Sequence, residues 1–272
     1  MRYGVTFPDL HPRDFAELAY EAEAAGWDGV FVWDCIWGID PWVSLAGAAM
    51  RTERVRLGTM LTPVSRRKPW ELASEATTLD HLSNGRLVLP VGLGAPETGF
   101  DKVGEETDRK RRAEMLDEGL DVLEGFWSGQ PFTYHGQHYQ VDDVTFVPKP
   151  VQSPRIPLWV VGAWPRMKSM RRVLRCDGVL PVKLQDNGSF ANMTPEDLVV
   201  LNGFLAEQRP GAQFEIIMEG ETPGDDVQQA RSQLAPLAEA GLTWWLENVW
   251  DTPRERGGIE GMCARVRQGP PR

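Results

Sequence analysis

The chain has 272 residues and a mass of 30.5 kDa, with 29 Lys+Arg against 39 Asp+Glu and a net charge of −10. That length admits one large α/β barrel of about 250 residues, or a doubly wound domain with a small companion. The acidic balance repels phosphate backbones and anionic lipid, so neither nucleic acid nor a membrane surface is expected as a partner, and no run reaches the ~20 apolar residues of a membrane span.

Hydrophobic residues make up 42% and charged residues 25%, the mix of a globular protein. The first residues, 1–9, lack the apolar run and small-residue site of a signal peptide. Cys35, Cys176 and Cys263 are odd in number and far apart, which argues against a disulfide framework. A cytoplasmic location is the expectation. The 11 tryptophans exceed ordinary core needs, and some suit a pocket for a flat aromatic ligand.

In chain order, β-rich runs alternate with helical patterns. Strands are expected at 3–7, 29–34, 55–61, 86–93, 156–162, 178–182, 214–218 and 243–247, several of them near-continuously apolar, as in parallel strands covered on both faces. Phe15, Leu18, Ala19 and Ala22 share one helix face, and so do Leu116, Leu120, Leu123 and Trp127. Val227, Leu234, Leu237 and Ala238 do the same near the C-terminus. Asp40-Pro41 and Thr194-Pro195 read as helix starts, the latter with Asp197 as capping-box partner. Gly26, Gly85, Gly129 and Gly241 stand where helices stop.

Eight such units predict a single-domain (β/α)8 TIM barrel over residues 1–272. The long gap between the fourth and fifth strands predicts an excursion: a helix near 109–127, then a small hairpin at 132–141.

Two familiar motifs fail in detail. Gly92-Leu93-Gly94 follows a strand, but Glu97 replaces the third glycine of a dinucleotide fingerprint and Pro96 interrupts the turn. His135 and His138 fall on opposite faces of an extended hairpin, so they do not form a metal pair; no metal site is expected.

In a barrel of this kind the residues past the C-terminal strand ends form the active face. They are Asp9 and His11; Asp34, Cys35 and Trp37; Thr59, Met60, Leu61, Thr62 and the run Arg66-Arg67-Lys68; Gly92, Gly94 and Glu97; Gly162, Ala163, Trp164 and Arg166; then Lys183, Glu219, Glu247 and Trp250. Taken singly, each reads equally as a cap or a solvated loop residue. Together, Gly162-Ala163 leading into Arg166 and Lys168 predict a phosphate site, and the glycines of the fourth loop would let a flat ring approach the backbone.

The stretch Thr77–Leu87, with Asp80-His81-Leu82-Ser83-Asn84-Gly85-Arg86 at its centre, resembles the bacterial luciferase-like superfamily of flavin-dependent oxidoreductases. Gly26–Asp34, Arg54–Thr59, Gly92-Leu93-Gly94, Pro148–Gln152 and Cys176-Asp177-Gly178 support it in order along about two-thirds of the chain. The resemblance implies reduced FMN or the 8-hydroxy-5-deazaflavin coenzyme (F-420) at the strand tips. It also implies a non-prolyl cis peptide within Thr59-Met60-Leu61, and a phosphate end near Gly162-Ala163. The chain departs from many deazaflavin-dependent relatives in having Cys35 where they have His after the Asp, and in having Pro90 where the fourth strand usually has Gly.

The reading is therefore an oxidoreductase. Thr59, Met60, Leu61, Gly92, Gly94, Gly162, Ala163, Trp164 and Arg166 are its expected cofactor contacts, and Asp34, Cys35, Trp37, Glu97 and His11 its expected catalytic set. With FMN it would oxygenate a small organic substrate; with the deazaflavin it would transfer hydride. A flavin reductase and a second copy of the chain, as homodimer, are the protein partners this leaves room for. The alternatives are a barrel aldolase or isomerase acting on a phosphorylated substrate, with Lys183 as Schiff-base lysine, and a non-catalytic flavin-binding barrel.

Overall fold

The computed structural model describes residues 1–8, 10–248 and 258–272; Asp9 and Trp250, two of the expected tip residues, lie outside them. Each of the eight predicted β runs forms a strand: β1 (Arg2–Phe7), β2 (Gly29–Val32), β3 (Arg56–Thr59) with β4 (Thr62–Pro63), β5 (Leu89–Gly92), β8 (Leu158–Trp164), β9 (Gly178–Leu184), β11 (Glu215–Gly220) and β12 (Trp244–Asn248). The excursion contributes the hairpin β6 (Pro131–His135) and β7 (Gln140–Thr145), and β10 (Phe190–Ala191) is a short antiparallel edge on β9. The helices are α1 (Pro12–Ala24), α2 (Pro41–Arg51), α3 (Pro69–Leu82), α4 (Arg109–Trp127), α5 (Met167–Val173), α6 (Pro195–Gln208), α7 (Val227–Glu239) and α8 (Gly258–Gln268).

The third strand is split. β3 pairs with β2, the Met60–Leu61 peptide is cis as the resemblance implied, and β4 resumes in parallel with β5. The parallel path runs β3-β2-β1-β12-β11-β9-β8-β5-β4. A bridge from Leu57 to Leu87, with the Val88 N–H donating to the Leu57 carbonyl at 2.9 Å, joins its ends and closes the barrel.

Alternation along each strand sorts the core into two parts. Val5, Phe7, Val30, Val32, Leu57, Leu89, Val91, Leu158, Val160, Val179 and Ile216 point outward against the helices. Inward, Phe31, Trp159 and Trp244 fill the barrel floor with ring centroids 5.3–6.2 Å apart, joined by Met60, Val88, Leu180, Ile217 and Leu246. Side-chain-free positions make this possible. A Cβ on Gly178 would lie 2.6 Å from Trp159, and one on Gly29 would lie 2.8 Å from Phe31.

The caps form as the sequence predicts. Asp40 accepts the Val43 N–H, and Thr194 and Asp197 form a reciprocal capping box. The hairpin extends to Thr145, beyond the predicted 141, where Phe126 meets Phe132 edge-on and stacks on Phe146.

At the barrel bottom the chain returns from the excursion onto Asp80. This carboxylate is 0% exposed and accepts the Val151 and Gln152 N–H groups and the Gln152 amide. His81 bonds the Lys149 carbonyl, and the Arg86 guanidinium donates to the carbonyls of Ala49, Thr52, Val55 and Ser83. Asn84 and Gly85 supply the two positive-φ residues of that corner, φ 53° and 79°.

Candidate active site at the barrel mouth

The C-terminal ends of the strands form the mouth of the barrel. Its inward residues Trp33, Leu61, Val161, Val182, Glu219 and Asn248 are half-buried, above the closed aromatic floor. Loops after β2 and β5 wall one side. Trp37, 54% exposed, lies across Gly99 and 5.8 Å from the Lys102 ammonium, tying these two loops together.

The second tip is an ion-paired brace. Asp34 follows the buried strand 29–32 and its side chain is 0% exposed. Arg67 grips both its oxygens at 3.1 Å, and Arg66 donates to it at 3.2 Å and to the carbonyls of Asp34 and Cys35. Burial would lower the Arg67 pKa, but Asp34 and then Glu75 outweigh it and hold the guanidinium above its usual value. Burial pushes the neighbouring Glu75 upward, and Arg67 offsets that only in part. Within the charge run, Arg66 and Arg67 are thus no solvated face, although Lys68 is exposed, and Asp34 is committed to two cations. Cys35 is buried, its thiol 3.6 Å from the Ile39 carbonyl. Cys35, Arg66 and Arg67 line a cavity of about 400 Å³ with Trp37, Asp40 and Glu105.

Other expected positions are placed differently. Thr59 points outward and its hydroxyl meets that of Thr62 at 2.8 Å, bracing the split strand. Met60 is buried in the floor. A Cβ on Gly92 would run into Leu61 and Val161 at 2.9–3.3 Å, and one on Gly94 into Phe100 and Pro63 at 2.7–2.8 Å. Both glycines therefore admit the protein's own side chains, so the expected open approach to a backbone is filled, with Leu61 on its surface.

The fifth tip is corrected most. β8 continues to Trp164, so Gly162 and Ala163 lie inside a strand. By alternation Gly162 faces α5, where a Cβ would meet Val179, Met170 and Val173 at 2.7–2.9 Å. Trp164 points outward as well and packs on Phe204 at 5.4 Å. Only Ala163 faces inward, and its N–H already donates to the Ser169 hydroxyl at 3.0 Å. Arg166 is exposed at the start of α5. His11 and Glu97 are exposed, His11 at the start of α1 and Glu97 in a short turn after β5.

Three groups stand out that the expected catalytic and cofactor sets omit, although Glu219 is among the strand-tip residues. Arg112 of α4, 4% exposed, donates to the carbonyls of Leu93 and Gly94 at 2.6 and 3.1 Å and lies 5.6 Å from the Phe100 ring, fixing the fourth loop. The Thr6 hydroxyl and Glu219 Oε2 are buried on inward positions with no hydrogen-bond partner among the described residues. Glu219 sits two residues beyond Ile217, and burial alone raises its carboxyl above the usual range. Their signal was in the sequence as strand parity: once Ile217 is inward, so is Glu219.

A flat ring with one polar edge needs apolar faces and a few hydrogen-bonding groups at its rim. Leu61, Val161 and Val182 with the half-buried Glu219 supply that combination, so the mouth fits a flavin-type ring, whereas the Thr6 hydroxyl, 0% exposed and in register with Phe31, belongs to the floor. Lys183, by contrast, turns outward and pairs with Asp197 at 2.8 Å, which disfavours the Schiff-base alternative. Among the described residues no group of His, Cys, Asp and Glu could hold a metal ion, and no helix is long and apolar enough to cross a membrane.

Comparison with known proteins agrees. The description of the luciferase-like monooxygenases matches residues 2–242. An F420-dependent glucose-6-phosphate dehydrogenase of Nakamurella multipartita is 31% identical over 174 residues, 60% of this chain and 50% of the relative. The chain spans about half the length of the curated relatives it matches. The F420-dependent tetrahydromethanopterin reductase of Methanopyrus kandleri superposes with a TM-score of 0.73 at 18% identity, over 97% of this chain and 98% of that one. A Baeyer–Villiger monooxygenase component of Pseudomonas putida, solved with FMN, gives 0.73 at 15% identity, over 98% and 96%. At these identities the likeness is one of fold.

Proposed function

Because the chain belongs to the luciferase-like monooxygenase family, we propose that it is an oxidoreductase that binds coenzyme F420 in the barrel mouth and transfers hydride between it and a small organic substrate. The observation that carries this reading is the set of side chains at the barrel mouth: apolar Leu61, Val161 and Val182 and the unpartnered Glu219 above a closed aromatic floor. The choice of F420 over FMN is supported by the F420-dependent naming of the relatives at 31–32% identity.

When bound, the deazaflavin supplies a two-electron hydride donor or acceptor. The chain's own residues do the rest. Leu61 and Val161 offer an apolar face against which a ring can lie, and the Trp159 and Trp244 floor excludes water from below. Asp34, gripped by Arg66 and Arg67, acts as a positioning residue that holds the Cys35–Trp37 loop over the mouth. Trp37 and Lys102 then link that loop to the one after β5. We place the protein in the cytoplasm, where its three free cysteines stay reduced. The reading needs a small organic substrate as partner and no reductase.

Adding oxidised F420 and, separately, FMN to the purified protein tests it. Saturable quenching of F420 fluorescence, with FMN binding at least about tenfold weaker, supports the reading. Tight FMN binding with substrate-dependent O₂ uptake would replace hydride transfer by monooxygenation.

A further inference from the structure

Glu219 carries an observation that bracing and packing leave unused. β11 alternates, with Ile216 outward among the helices and Ile217 inward on the aromatic floor; Glu219 lies inward again, one step nearer the mouth. Its register neighbour on β12 is Leu246, followed inward by Asn248, and the inward residues of β9 at that height are Leu180 and Val182. None of these titrates.

Glu215 of β11 faces inward too, but at the opposite end of the barrel, where it pairs with Arg2; the charged groups nearer the mouth turn away. Lys183 of β9 points outward to Asp197, and Glu247 of β12 points outward to Thr222, Trp245 and Arg265. Glu221, beyond the strand end, is exposed. Glu219 Oε2 is shielded from solvent and has no hydrogen-bond partner among the described residues, whereas nearly all buried polar atoms in folded proteins have one.

We propose that Glu219 is a ligand-contacting residue whose carboxyl O–H donates a hydrogen bond to an acceptor on the edge of the ring bound in the mouth. The proposal rests on the reading given above. A carboxylic acid in an apolar site keeps its proton to higher pH than in water and so remains a donor. The structure supplies that environment, since burial raises the group and no cation among the described residues opposes it. Above its raised pKa the donor is lost and an anion faces the ring's acceptor, so affinity falls as pH rises.

The test titrates oxidised F420 into wild type, Glu219→Gln and Glu219→Leu from acid to alkaline pH. Glutamine keeps an N–H donor at every pH and nearly the same volume. The ratio of wild-type to Glu219→Gln dissociation constants cancels the ligand's own titration. It is expected to rise about tenfold from acid to alkaline pH, and Glu219→Leu is expected to bind about tenfold more weakly than wild type in acid. An infrared difference spectrum between ligand-free wild type and Glu219→Gln, followed over pH, is expected to contain a protonated carboxyl band that persists to higher pH than that of a solvent-exposed carboxyl. Equal binding by wild type and Glu219→Leu with a flat ratio, or no such band, overturns the assignment while leaving the cofactor reading intact. If wild type binds neither F420 nor FMN, the cofactor reading fails and this role fails with it.

Discussion

Replacing Asp34 by Asn separates bracing from proton transfer. The Asp34 side chain is 0% exposed and faces Arg66 and Arg67, which are 10% and 15% exposed. Losing its charge leaves two buried guanidiniums against a neutral amide, and only Arg67 keeps an acid, Glu75 at 3.2 Å and 36% exposed. Breaking a buried ion pair from one side costs about 3–5 kcal/mol. A chain of this size loses about 2–4 °C of Tm per kcal/mol, so Tm is expected to fall by roughly 6–20 °C. Differential scanning calorimetry reads this directly, and an Asp34→Asn/Arg67→Met double variant is expected to lose less than the two single changes summed. A Tm shift under about 2 °C together with a collapse of turnover would refute the brace and return Asp34 to acid/base chemistry.

The Glu23 carboxylate, its side chain 9% exposed, accepts the N–H groups of Glu53, Arg54 and Val55 where the chain enters β3. Burial pushes this group up, but those N–H donors outweigh it and leave the pKa below its usual 4.5. A depressed carboxylate stabilises the fold above its unfolded pKa and loses that contribution as pH falls through the folded one. Glu23→Gln is therefore expected to cost about 1–3 kcal/mol at neutral pH, a gap that urea melts should find narrowing in acid. Gly162→Val is expected to lower stability by about 1–3 kcal/mol through overpacking while leaving F420 affinity of the folded protein unchanged. Weakened binding without lost stability would restore a phosphate role for that position.

The strands were legible because a parallel barrel strand is buried on both faces and reads as an apolar run between helix signals. The tip residues were less so, for a geometric reason. Naming residues by distance from a strand end ignores that neighbours face opposite ways, which placed outward Thr59, Gly162 and Trp164 in the mouth. The grip of Arg66 and Arg67 on Asp34 spans more than thirty positions and has no local pattern. Glu219 was visible as a strand-end acid, but its missing partner is a property of the closed barrel and of no segment alone.

The stretch from Asp80 to Arg86, which carries the family likeness most clearly, lies at the bottom of the barrel. Each of its polar side chains with a bond described above is spent joining chain segments: Asp80 anchors the returning excursion, and Arg86 gathers α2, α3 and the approach to β3. The signature and the reactive surface are thus at opposite poles. A chain can keep the first unchanged while its loops at the other pole drift towards a new substrate or another redox partner. Recognition by this stretch identifies a scaffold, and the chemistry has to be read from the far end.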